Sequence, residues 1–279
     1  MSTPRIVITA GFDRAPHVFA LAELLRRRGG IVEGLITVSP YSWKRLRALT
    51  RQRGREFLWQ AIPRLLGKGA IGSDAERPDA LAEFLERHQI SPGSLRFWSH
   101  THGTPYCVVP SINDKKAVEF VRSIKPDWVV YGGGGILRNP FIDAAEGRIL
   151  NAHSGPMPQI RGMNACEWSL LLGYAPVVTI HLINRGIDTG GIIARHPVPV
   201  RPGDTIERLR SRCVAVGVEA MLHTVLNPPE KLPQPERNAA SHRQCFVLAP
   251  ALRELLARRL AGGTYAHLYE QSSEEGASV

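Results

Sequence analysis

Three residues of this chain have the types and spacing that acyl chemistry needs: Asn151 and His153, two positions apart, and Asp188 further along. They lie in the segments Asn151-Ala152-His153-Ser154-Gly155-Pro156-Met157-Pro158-Gln159-Ile160-Arg161-Gly162 and Gly186-Ile187-Asp188-Thr189-Gly190-Gly191. An imidazole accepts or relays a proton near neutral pH, because its ordinary pKa is about 6.5. A neighbouring carboxylate favours the imidazolium and fixes the ring's orientation. An asparagine amide donates to an oxygen that gains negative charge, and losing one such donor typically costs about 3 kcal/mol of transition-state stabilisation. A carboxylate between glycines lets a substrate approach the backbone closely. The set suits attack on a carbonyl without a protein nucleophile, since the segment holds no serine or cysteine with an activating neighbour. His181 either supports this site or only ends its strand.

The elements that must position these groups read as an α/β pattern. Arg5–Ala10 is a short β-branched run ending at Gly11, which suits a buried strand and a turn. Val18, Leu21, Leu24 and Leu25 recur at helical spacing and close on Arg26-Arg27-Arg28-Gly29-Gly30, a helix stop. Ile31–Val38 is a second strand, so the chain opens strand, helix, strand, the start of a parallel sheet. Residues 40–100 depart from that rhythm as a basic helical insertion, with helices expected around Trp43–Trp59, Ile62–Leu66 and Asp79–Gln89. Alternation resumes with a strand at Pro105–Val109, a helix capped by Asn113 and running to Ile124, and a strand at Asp127–Tyr131. A short helix near Asn139–Ala145 leads to a strand at Arg148–Leu150, which places Asn151 and His153 at its carboxyl end, where open α/β sheets bind ligands. Beyond a proline-rich loop come a helix at Asn164–Leu172, strands at Val177–Leu182 and Gly191–Val198, and helices at Thr205–Leu222 and Ala251–Leu260. The fold class expected is α/β: a Rossmann-like, mostly parallel twisted sheet with flanking helices, the basic insertion and a short C-terminal extension. The division expected is a domain over 1–205 and a helical extension over 206–279 whose polar end is disordered.

Asn-x-His, a proline loop ending Arg-Gly, and Asp-Thr-Gly at this separation resemble the 10-formyltetrahydrofolate-dependent formyltransferases. The resemblance is strongest from Pro105 to Val198. It implies a Rossmann-like sheet and transfer of a formyl group from 10-formyltetrahydrofolate, as co-substrate, to a primary amine. It further implies that Asn151 binds the formyl oxygen, that His153 stabilises the oxyanion or shuttles protons, and that Asp188 orients His153 and joins the proton transfer from the amine. By the same resemblance the folate lies against Gly134-Gly135-Ile136-Leu137 and against Gly186 and Ile187. Arg161 and Gly162 hold the loop beside the acceptor, and His181 is counted with them. The family includes members acting on methionyl-tRNA, on phosphoribosylglycinamide and on sugars. The tail after Thr205 is shorter and more proline-broken than the barrel domain that the tRNA-acting members append. Pro156 stiffens the loop after the histidine.

Composition narrows the remaining classes. The chain has 279 residues, is 43% hydrophobic and 22% charged, and so can bury a core that offsets the entropy of ordering. No run approaches eighteen apolar residues and the first residues lack a signal-like pattern, which points to a cytoplasmic protein with no membrane partner. Cys107, Cys166, Cys213 and Cys245 are widely spaced and read as packing thiols. His100 and His102 have no third ligand nearby in sequence, so no metal is expected. Gly132–Gly135 does not fit the dinucleotide spacing, which argues against a nicotinamide cofactor. Part of the net charge of +10 sits in Lys44, Arg45, Arg47, Arg51, Arg53, Arg55, Arg64 and Lys68, facing only Glu56, which reads as a solvated helical face or as an anion-binding surface. The second reading favours a small anionic or nucleotide-linked amine as acceptor. An aminoacyl-tRNA or carrier-bound amino acid is the alternative, and a non-catalytic polyanion-binding scaffold a third reading. Nucleic acid is the less favoured partner, and the pattern also allows a homodimer.

Overall fold

The computed structural model describes residues 3–39, 79–235 and 243–268. The expected helices at Trp43–Trp59 and Ile62–Leu66 and the polar end of the tail lie outside those residues. The strands are β1 (Arg5–Ala10), β2 (Ile31–Val38), β3 (Tyr106–Val109), β4 (Trp128–Gly132), β5 (Ile149–His153), β6 (Ile160–Gly162), β7 (Val177–Leu182), β8 (Ile192–Pro197) and β9 (Arg243–Cys245). The helices are α1 (Pro16–Arg27), α2 (Ala80–Arg87), α3 (Leu95–Thr101), α4 (Lys115–Ile124), α5 (Asn139–Ala144), α6 (Ala165–Leu171), α7 (Ile206–Leu226) and α8 (Pro250–Ala261).

Seven strands form one sheet in the order β3-β2-β1-β4-β5-β7-β8. The first five run parallel, and β7 and β8 are antiparallel. This is the mostly parallel, Rossmann-like arrangement expected. The chain leaves β1 towards β2 on one side and later towards β4 and β5 on the other. The carboxyl edge therefore opens at β1 and β4, the switch point where such sheets bind ligands.

Side-chain alternation splits the sheet between two cores. Ile6, Ile8, Val130, Leu150 and Ile180 face α1 and α7, while Val7, Ile36, Val129 and Ile149 pack with Val118 and Val121 of α4 and Phe141 of α5. α1 begins with Pro16 in its first turn, where the missing N–H costs nothing, and buries Val18, Leu21, Leu24 and Leu25. α7 is capped by the Thr205 hydroxyl, which accepts from the Arg208 N–H at 3.1 Å. It runs to Leu226, four residues past its expected end, until Pro228 and Pro229 stop it. Its buried face, including Ile206, Leu209, Val218 and Val225, shares the core of the sheet. The helix that opens the 206–279 segment is therefore packed into the body of 1–205.

Two expectations are corrected. Asn113 does not cap α4; Asp114 does, accepting from the Lys116 N–H at 3.0 Å. Asn113 instead spans two points of the loop after β4, donating to the Ile136 carbonyl at 2.8 Å and accepting from the Arg138 N–H at 2.7 Å. The proline-rich loop also contains a strand. β6 pairs in parallel with β9, Ile160 opposite Arg243 and Gly162 opposite Cys245, as a separate two-stranded sheet. A three-residue strand has no periodicity to read, and its partner lies eighty residues away.

Candidate active site

β5 runs three residues beyond its expected end, so Asn151 and His153 are strand residues two apart on one face. Across the antiparallel pair, Asn151 sits opposite His181 and His153 opposite Thr179. On the other side, Tyr131 of β4 pairs with Asn151. Strand register alone thus gathers an amide, two imidazoles, a hydroxyl and a phenol at the carboxyl edge. Asp188 arrives from the β7–β8 turn, with its backbone left-handed at φ 48°. Gly190 is required in that turn, because a Cβ there would collide with the Leu182 carbonyl.

The hydrogen bonds assign the ring atoms. His181 is 1% exposed and donates from Nδ1 to the Leu182 carbonyl at 2.8 Å. Its Nε2 therefore accepts from the Asn151 amide nitrogen, 3.0 Å away. Burial, reinforced by the nearby His153, pulls its pKa down to about 4 against the opposing pull of Asp188. His181 is neutral at pH 7 and serves as an acceptor. His153 donates from Nε2 to the Ile160 carbonyl at 3.1 Å, and its Nδ1 faces Asp188 Oδ2 at 3.5 Å. Asp188 Oδ2 also accepts from the Gly162 N–H at 2.8 Å, and Oδ1 lies 3.6 Å from His181 Nε2. Gly162 has φ 93°, and a Cβ there would strike the Cys245 carbonyl, so β9 and the carboxylate together require a glycine.

Of the other expected residues, Gly134, Gly135, Ile136 and Leu137 form the loop after β4. There the Tyr131 hydroxyl donates to the Gly135 carbonyl at 2.9 Å and accepts from its N–H at 3.2 Å. Burial raises the Tyr131 pKa; the Gly135 hydrogen bond opposes the rise and the Asp188 charge adds to it. Ile136 and Ile187 are exposed at the rim, and open space lies beside Gly135. Gly186 donates its N–H to the Asn184 side chain, which also accepts from Thr189, bracing the turn. Arg161 is buried in β6 and does not present its side chain at the surface. His181 likewise acts inward, on Asn151.

Sequence reasoning missed Tyr131 and Thr179. Thr179 donates to the Gly155 carbonyl at 2.7 Å and accepts from the Met157 N–H at 3.4 Å, fastening the loop after β5. Its signal was its place two residues before His181 on the same strand face. Among the described residues no group of three His, Cys, Asp or Glu is arranged to hold a metal, and no helix is long and apolar enough to cross a membrane.

Two cavities adjoin this edge and share Ala152, Ser154 and Val214. One, of about 350 Å³, touches His153, Gly162, Glu167 and Arg210. The other, of about 220 Å³, runs from Asn151 and Gly132 between α1 and α7.

A family model described as formyl transferase matches residues 88–225, which span Asn151, His153 and Asp188. Residues 88–225 belong to the formyl transferase family. The methionyl-tRNA formyltransferase of Geotalea uraniireducens is 27% identical over 176 residues, covering 61% of this chain and 55% of the relative. The chain thus spans about half the length of the curated relatives it matches. Among solved structures, the phosphoribosylglycinamide formyltransferase from Anaplasma phagocytophilum is 19% identical with a TM-score of 0.54, covering 81% of this chain and 86% of that one. A sugar N-formyltransferase from a Shewanella species is 14% identical with a TM-score of 0.53, covering 92% and 87%. At these identities the two structures establish a shared formyl transferase fold.

Proposed function

We propose that this chain is an N-formyltransferase that moves the formyl group of 10-formyltetrahydrofolate to a primary amine of a small, anionic or nucleotide-linked molecule. The observation that carries the reading is the convergence of Asn151, His153 and Asp188 at one sheet edge, with His181 holding the Asn151 amide. The rim fits a folate. Ile136 and Ile187 offer apolar contact, and the open space beside Gly135 leaves room for a ring to approach. The co-substrate supplies an activated formyl carbon.

The protein's own residues supply the rest. Asn151 has one N–H committed to His181 and a second left for the formyl oxygen as it gains charge. His153, buried between the Ile160 carbonyl and Asp188, holds or passes a proton at Nδ1. Asp188, fixed by the Gly162 N–H, accepts the proton that the amine releases on attack. Tyr131 and Asn151 alternate with Val130, Leu150 and Ala152, so their side chains lie on the face of the sheet opposite α1 and α7, the side on which this reading brings donor and amine together. A tRNA-borne amine is the second reading, favoured by the names of the curated relatives. Strong salt dependence of acceptor binding would support it.

The test is thermal unfolding titrated with 5-formyltetrahydrofolate, a stable analogue. A ligand that binds only the native state adds about 2.7 kcal/mol at a hundred times its Kd. A saturable rise in Tm supports the reading and justifies scoring amines for tetrahydrofolate release. A folded protein with no rise overturns it.

A further inference from the structure

Gly133, Gly134 and Gly135, in the loop after β4, all have positive φ, at 118°, 128° and 104°. Glycine adopts such a run at little steric cost, but it loses more freedom than any other residue when a chain is ordered. The loop therefore owes its position to the groups that hold it. Gly133 lies against Gly11, and Gly134 against Ile112 and Val38, where a Cβ would come to 3.3 Å, while open space lies beside Gly135. The Thr9 hydroxyl donates to the Gly133 carbonyl at 3.1 Å, and the Asn113 side chain holds Ile136 and Arg138. Between these two points the Tyr131 hydroxyl engages both backbone groups of Gly135, at 2.9 and 3.2 Å. The phenol can donate and accept at once because it keeps its proton, its pKa raised chiefly by burial. Its ring packs, with Leu137, against the core beneath α4 and α5. Tyr131 is also the β4 partner of Asn151 in register, so the residue that holds Gly135 stands beside the amide on the same face of the sheet.

We propose that Tyr131 is a positioning residue for the formyl donor: its hydroxyl clamps Gly135 and so holds the glycine loop in the arrangement that receives the donor's ring beside Asn151. The inference rests on the formyl-transfer reading above and deepens it, because it assigns donor affinity to a side chain that touches neither the formyl group nor the amine. Without the clamp the glycine run samples arrangements that do not bind. The apparent affinity then falls in proportion to the time spent in the competent one. The packed ring fixes where the hydroxyl stands, so the loop is set before the donor arrives and the donor does not have to order it. Tyr131 takes no covalent part in the transfer.

The experiment compares wild type with Tyr131→Phe, which removes the hydroxyl and keeps the packed ring. Titration calorimetry with 5-formyltetrahydrofolate gives the Kd, and Tm without ligand reports folding. The ¹⁵N relaxation of the Gly134, Gly135 and Ile136 amides reports the motion of the loop. The expected Kd of the variant is about tenfold weaker than that of wild type, since two hydrogen bonds to the loop are lost. Its Tm should stay within about 3 °C of wild type. The three amides should be more mobile than in wild type when the variant is free, and as rigid as in wild type when the analogue saturates it. A variant Kd within twofold of wild type overturns the proposal, as a merely structural role would leave the Kd unmoved. Unchanged relaxation in the free variant also overturns it, and so do resonance changes spread through the sheet instead of confined to the loop. A folded wild type that does not bind the analogue overturns the formyl-transfer reading, and this inference with it.

Discussion

Replacing Asp188 by asparagine removes one negative charge and little else. Asparagine is nearly isosteric and tolerates the left-handed backbone at φ 48° better than most residues. Its amide oxygen can still accept from the Gly162 N–H, now 2.8 Å from Oδ2. What disappears is the proton acceptor and the field at His153, whose Nδ1 lies 3.5 Å away with both side chains largely buried. At an effective dielectric of 20, a positive charge formed on His153 during the reaction is stabilised by about 4–5 kcal/mol at that range. Each 1.4 kcal/mol or so is a factor of ten in rate, so the loss is roughly a thousandfold. That lies within the 10²–10⁴ range of a positioned acid or base. The assay is amine-dependent release of tetrahydrofolate at saturating donor, with the 5-formyltetrahydrofolate Tm shift as a control for folding. The variant should melt close to wild type, bind the analogue and turn over about a thousandfold more slowly. A variant that binds the analogue and works within tenfold of wild type would refute the assignment of Asp188.

Two further predictions concern stability. Asp204 and Arg212 form a buried bidentate pair, at 2.6 and 2.8 Å, that ties the start of α7 to the turn before it. Asp204→Ala leaves the guanidinium buried against the Pro199 carbonyl alone, at a cost of about 3–5 kcal/mol, so Tm should drop by roughly 10 °C; a drop under 2 °C would show the pair to be dispensable. His181 is held neutral, its pKa lowered from 6.5 to about 4 chiefly by burial. The unfolded chain therefore binds more protons between those values, and this contribution is full above pH 6.5 and lost as pH falls towards 4. It amounts to about 3 kcal/mol at most. Denaturant midpoints at pH 7 and pH 4.5 should separate further in wild type than in His181→Asn, while His17 and His196, also lowered by burial, act on both proteins alike. Equal separations would contradict the neutral assignment.

β1, β2, β4 and β7 were legible from residue type as short apolar, β-branched runs buried on both faces, and α1 from apolar residues at helical spacing. The three residues that the structure brings together could also be picked out, since Asn151 and His153 stand two apart at a strand end and Asp188 sits among glycines; their catalytic roles are part of the proposal. What failed depended on partners distant in sequence. Asn113 and Asp114 are equally good caps by type; only the loop at Ile136 and Arg138, which claims the Asn113 side chain, decides between them. The pairing of β6 with β9 rests on three residues from each side and on Gly162 lying against Cys245.

His181 shows where local reading stops. Its residue type permits a ligand, a base or a strand terminus, and burial and bonding choose a fourth role, acceptor for the Asn151 amide. The register that puts His181 opposite Asn151 also puts Thr179 opposite His153, where the hydroxyl braces the loop that follows. One step of slip between β5 and β7 would turn Ile180 and Leu182 towards that face and carry both polar partners away together. The change from parallel to antiparallel pairing at β5 is thus part of the site: it sets two polar strand faces side by side at the carboxyl edge, and the turn leaving β7 then delivers Asp188 back to the histidine where the edge opens.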